Sequence, residues 1–191
     1  MVIRLLFLFI FLSACASAPL VVDEALREKA MEGSAPAQYE MGMIYYRQVY
    51  SGSWSLNEAA WEGAVRWFEM AARQGDARAQ YRLSLYYSGR DDEKSFMLLQ
   101  VPAQQGIANA QHALGMQYGQ ARGTPQDLVL AYKWIGLGQE GGIGGLPGNV
   151  ADLDWLVWKG KMSPEQVAEG GRLVEEHTRM FGKSRTLGFY E

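Results

Sequence analysis

The sequence predicts an all-α protein whose helix pairs stack into a solenoid, and three observations carry that prediction. The pattern Gly-x-x-x-Ala-Gln recurs at Gly33–Gln38, Gly75–Gln80 and Gly106–Gln111. After each copy the apolar positions continue at intervals of four, as Ala37, Met41, Tyr45, then Ala79, Leu83, Tyr87, then Ala110, Leu114, Tyr118, which is one stripe of a helix. Before the second and third glycines, Trp67–Gly75 and Leu98–Gly106 align without a gap, so each unit is a pair of helices.

The chain opens on one cation, Arg4, followed by the apolar run Leu5–Leu12 and the small pair Ser13 and Ala14. That is the layout of a secretory signal, read here as residues 1–14. An apolar helix of this length reaches only about 12 Å, against about 30 Å for a hydrocarbon core, which argues against a permanent span. Leu12-Ser13-Ala14-Cys15 resembles the lipobox of bacterial lipoproteins. The resemblance implies that Cys15 is acylated and becomes the new N-terminus, with residues 15–22 as a short tether. The alternative is an ordinary signal cut near Ala18. Cys15 is the only cysteine, so it cannot form an internal disulfide in an oxidising compartment. Two or more acyl chains would hold the protein on a membrane without a spanning segment. Ser17 stands where the resemblance would put aspartate for retention in the inner membrane, so the expectation is an outer-membrane lipoprotein facing the periplasm.

Residues 23–140 are read as the repeats. Asp23–Glu32 forms a leading helix with Asp23 as a plausible N-cap. In the first helix of each copy, Gly42, Ser84 and Gly115 leave room for a neighbouring helix to approach. Ala131–Gly138 matches Ala64–Ala71 in register and supplies a third second-helix. Gly75 and Gly106 fall where a helix ends and a positive φ is needed. An insertion at Gln48–Asn57 lengthens the first copy, and Pro102 is expected to kink or shorten the second helix of the middle copy.

These residues are similar to the Sel1-like repeat family, whose first helix reads Ala-Gln-x-x-Leu-Gly-x-x-Tyr and whose second ends in Trp-x-x-x-Ala-Ala-x-x-Gly. The resemblance implies a right-handed α-solenoid of Sel1/TPR-like helix pairs with a C-terminal capping helical segment. The array ends in the glycine-rich loop 141–149, and residues 150–191 are the capping helices and tail. There Ser163, Pro164 and Glu165 make a sound helix start.

Lys and Arg number 18 against 21 Asp and Glu, a net charge of −3, which lacks the basic footprint that nucleic-acid binding needs. The only histidines are His112 and His177, so a transition-metal site would rest almost wholly on carboxylates, and none is expected. No Gly-x-Ser-x-Gly elbow occurs, and Gly141–Gly148 lacks the Gly-Lys-Ser/Thr that a phosphate cradle requires. The expectation is therefore no catalytic residue, no cofactor and no enzyme.

Family resemblance implies adaptor and assembly roles, so the reading is a membrane-tethered scaffold for a protein or peptide partner in the envelope. Two alternatives stay open: a protein that binds or hydrolyses cell wall or β-lactam, or regulates such an enzyme, and a structural lipoprotein without a ligand groove. If the Ala/Leu/Tyr stripes face the core, the positions two, three and seven after each Ala remain for other faces. These give Tyr39, Glu40 and Ile44, then Tyr81, Arg82 and Tyr86, then His112, Ala113 and Gln117, as the candidate groove. The tyrosines could equally pack between neighbouring copies. Trp67 and Trp134, aligned between copies, are expected in the core, whereas Trp54, Trp61 and Tyr190 lie outside the repeating pattern, and Trp54 in the 48–61 segment is the second candidate contact.

Overall fold

The computed structural model describes residues 22–49, 58–141 and 160–185. Within them lie eight helices: α1 (Glu24–Met31), α2 (Ala35–Val49), α3 (Glu58–Arg73), α4 (Ala77–Tyr87), α5 (Asp92–Gln104), α6 (Ala108–Gln120), α7 (Leu128–Glu140) and α8 (Pro164–Phe181). Cys15, Trp54, Tyr190, the signal residues and the glycine-rich stretch beyond Gly141 lie outside the described residues.

Helix starts follow local chemistry. Asp23, Asp76, Asp91, Asp127 and Ser163 each accept backbone N–H bonds in the first turn, and Ser163 with Gln166 completes a capping box. Helix ends are turned by Gly33, Gly75 and Gly106 at φ of +101°, +87° and +77°. Pro102 does not end α5, which runs on to Gln104. It sits in the last turn, so its missing N–H costs the helix a single internal bond. The first-copy insertion also begins later than expected, because Gln48 and Val49 remain in α2.

Consecutive helices pack as antiparallel neighbours, α2 on α3, α4 on α5 and α6 on α7, with α1 leading onto α2. The small residues set how close they come. A Cβ on Gly42 would meet the Phe68 ring at 2.5 Å, and one on Gly115 would meet Ile135 N at 2.7 Å. Ser84, the corresponding residue of the middle copy, accepts on its carbonyl a 2.9 Å hydrogen bond from Ser95 Oγ of α5. Ala37, Met41, Ala79, Leu83, Ala110 and Leu114 are buried as the stripe requires. Trp134 is buried and Trp67 packs against the Ala30, Ala37 and Met41 cluster. Trp61 is core too, edge-on to Tyr46 at 5.1 Å.

α8 departs from the antiparallel pattern. Gly170 lies against Tyr132, Val174 against Gly136, and Thr178 Oγ1 donates to Glu140 at 2.8 Å, a constant offset that makes α8 parallel to α7. Its outward face is polar, with Arg172 paired to Glu169 at 2.7 Å and Glu176 at 2.9 Å, as befits the end of a stack. Beyond α8 the chain returns to the α5–α6 turn. There Arg185 N donates to Gly106 O and Ala108 N donates to Arg185 O, both at 2.8 Å, forming one isolated bridge.

Candidate partner-binding surface

The candidate columns divide into a buried layer and an accessible one. Tyr39 is 0% exposed, Tyr81 and Gln117 are buried, and Arg82 is only 4% exposed. This burial corrects the reading of those four as open groove residues: Tyr39 and Tyr81 pack between neighbouring copies, Arg82 lies over the Tyr46 ring, and Gln117 reaches Ser95 of α5. Glu40, Ile44, Tyr86, His112 and Ala113 are half-buried. Ile44 packs against the Ala37 and Met41 cluster, and Tyr86 lies 5.5 Å from the Trp61 ring.

Beneath the surface the buried layer ties the first helices together. The Arg82 guanidinium of α4 lies 4.9 Å over the Tyr46 ring and 5.8 Å from that of Tyr81, and it donates to the Tyr39 hydroxyl of α2. Tyr81 is hydrogen-bonded in turn to Asn109 of α6. Arg78, absent from the candidate columns, covers the Tyr39 ring at 4.1 Å while its guanidinium grips the Asp76 carboxylate at 2.7 Å. Burial pushes the Tyr39 and Tyr81 phenols above the usual tyrosine range, with Arg82 opposing the rise. The ladder runs Tyr39, Arg82, Tyr81, Asn109 across α2, α4 and α6, and it is a cation–aromatic mortar between copies.

Two clefts open beside it. One, of about 270 Å³, lies among α3, α4 and α5 and is lined by Glu69, Arg73, Tyr87 and Lys94, with Lys94 Nζ 3.8 Å from the Tyr87 ring centre. The second, of about 160 Å³, lies among α4, α5 and α6. Its wall carries a buried polar chain in which Gln117 Nε2 donates to Ser95 Oγ at 2.8 Å, and its rim carries Arg122, paired with Asp92 at 2.6 Å.

The glutamine of the repeated Ala-Gln has a role that the apolar stripe alone does not suggest. Gln38 Nε2 donates to Ala30 O at 3.1 Å and Gln111 Nε2 to Ala103 O at 3.0 Å, each reaching a carbonyl in the last turn of the preceding helix. Each of these carbonyls also accepts a turn N–H, from Gly33 at 3.2 Å and from Gly106 at 3.1 Å, so Gln38 and Gln111 fasten a first helix to the end of the helix before it. Its recurrence was the visible signal. Among the described residues no group of His, Cys, Asp and Glu could hold a metal ion, and no helix is long and apolar enough to cross a membrane.

The Sel1 repeat model matches residues 35–76, 77–106 and 108–138. Among solved structures, the chain is similar to a protective antigen of uropathogenic Escherichia coli with an SLR fold, at a TM-score of 0.69 and 24% identity over 83% of this chain and 33% of that one. It is also similar to a Sel1 repeat protein from Oxalobacter formigenes, at a TM-score of 0.52 and 29% identity over 69% of this chain and 96% of that one. The chain thus spans about a third of the length of the Escherichia coli protein. No curated protein matches the chain. Sel1 repeat proteins generally act as non-catalytic scaffolds for protein–protein interaction. Three matched units, in the register of the observed helix pairs, place the chain in the Sel1 repeat family.

Proposed function

We propose that this protein is a lipid-anchored, non-catalytic scaffold of the bacterial outer membrane, facing the periplasm, whose first helices hold a protein or peptide partner. The observation that carries the reading is the run of three Sel1 units whose first helices are fastened by the Tyr39–Arg82–Tyr81 ladder. Such a fixed frame presents Glu40 on the first unit and His112 on the third, both half-buried, without requiring the frame to order on binding. Anchoring through Cys15 follows from the lipobox resemblance and from that cysteine being alone in the sequence.

Cross-linking in the intact envelope tests the proposal, with the wild type compared with Cys15→Ser and with the double variant Glu40→Arg/His112→Glu. The wild type should capture a specific protein. Cys15→Ser should lose membrane attachment, and the double variant should lose capture by about tenfold or more with unchanged circular dichroism. Arg82 is unsuitable for this test, since its removal would unpin the buried tyrosines. Capture of glycan fragments alone would favour the wall-binding reading, and unchanged capture by the double variant would place the contact elsewhere.

A further inference from the structure

Met180 and Phe181, at the end of α8, are 60% and 67% exposed, with the Phe181 ring 4.7 Å from that of His177. Arg179, Lys183 and Arg185 are exposed beside them, in a chain of net charge −3. A helix C-terminus explains one cation, Arg179 in the last turn, but Lys183 and Arg185 lie beyond the helix. None of the three cations makes an ion pair among the described residues. The nearby carboxylate of Glu176 is engaged by Arg172 at 2.9 Å, and that of Glu140 accepts from Thr178 at 2.8 Å. The segment is also held in place, because both backbone groups of Arg185 are bonded to the α5–α6 turn. Neither of the two inter-repeat clefts is lined by these residues.

We propose that this helix end docks on an anionic bilayer surface, with the Phe181 ring and Met180 entering the headgroup boundary and Arg179, Lys183 and Arg185 meeting lipid phosphates. An aromatic and a thioether close in sequence to three cations that make no ion pair among the described residues match the interface between headgroups and acyl chains, where apolar burial and charge attraction act together. A folded acidic partner would meet the cations but gain little from the exposed Met180 and Phe181. The contact is separate from acylation at Cys15 and would set the orientation of the scaffold on the membrane instead of attaching it.

Co-sedimentation with vesicles tests this, using residues 16–191, which contain every described element but neither the leader nor Cys15. Vesicles of phosphatidylcholine with phosphatidylglycerol should retain the protein, and pure phosphatidylcholine should not. Arg179→Gln/Lys183→Gln should bind about thirtyfold more weakly, at the roughly fivefold per cation expected near such a surface, and added salt should weaken the wild type likewise. Phe181→Ser should also reduce binding while circular dichroism stays unchanged. Equal retention by both vesicle types, no retention by the anionic ones, or full retention of the double variant would overturn the proposal and leave the reading of Cys15 untouched.

Discussion

His177 shows how a residue with no evident chemistry in the sequence acquires a physical role once packed. Its ring lies edge-on to Trp134 at 5.6 Å and against Phe181 at 4.7 Å. Burial, and secondarily the Lys133 ammonium, hold its pKa below the ordinary 6.5. Burial likewise pulls Lys133 below the usual lysine range. Because the unfolded chain takes up a proton at His177 before the folded one does, stability is full above about pH 6.5 and declines as pH falls below it. Urea midpoints should therefore drop between about pH 7.5 and about pH 5.5, and His177→Phe should flatten that slope. An identical slope in the variant would assign the acid sensitivity to other groups. The candidate site was legible at this scale only in part. Positions on the first helices could be read from the spacing, but Tyr39 and Arg82 turned inward because a guanidinium can bond one phenol across a helix boundary while lying over neighbouring tyrosine rings. Spacing along one helix carries no record of that cross-helix pairing.

At the scale of elements, the glycines and serine on the first helices decide how closely the pairs nest, and their three neighbours are not equivalent. A methyl on Gly42 meets ring atoms of the buried Phe68, a side chain that must be displaced, whereas one on Gly115 meets Ile135 N and Ala131 O, which are backbone. Gly115→Ala should accordingly cost about 2–3 kcal/mol and Gly42→Ala about 1 kcal/mol, measured by denaturant unfolding, after allowing for the gain in helix propensity. Equal costs would mean that α7 yields as readily as the Phe68 side chain. Most of the helices were legible because a four-residue apolar interval, aspartate caps and terminal glycines all point to the same boundaries. The direction of α8 was not. A capping box and one apolar face describe the helix equally well whether it runs parallel or antiparallel to α7. The choice is fixed by Gly170 admitting Tyr132 and by the Thr178–Glu140 bond, which are contacts far apart in sequence.

For the whole molecule, the consequence of a stacked architecture is that each unit is stabilised chiefly by its neighbours, so damage at one end should fade along the array. At the C-terminal end two devices close the stack. α8 covers α7 through Gly170, Val174 and His177, and the returning strand of chain fastens Arg185 to Gly106 and Ala108. Both act on the third unit, while α2 and α3 form a separate buried cluster around Tyr39, Met43, Trp61 and Phe68 that neither device touches. A chain ending at residue 159 should therefore expose Trp134 and Tyr132, bind a hydrophobic dye and lose amide protection in α6 and α7 first. Protection in α2 and α3 should fall by much less, because that cluster keeps all its partners. Hydrogen exchange followed along the chain reads this directly. Uniform loss across every helix would show that the array folds as one cooperative block, and unchanged protection in α6 and α7 would show that α8 merely rests on the stack without supporting it.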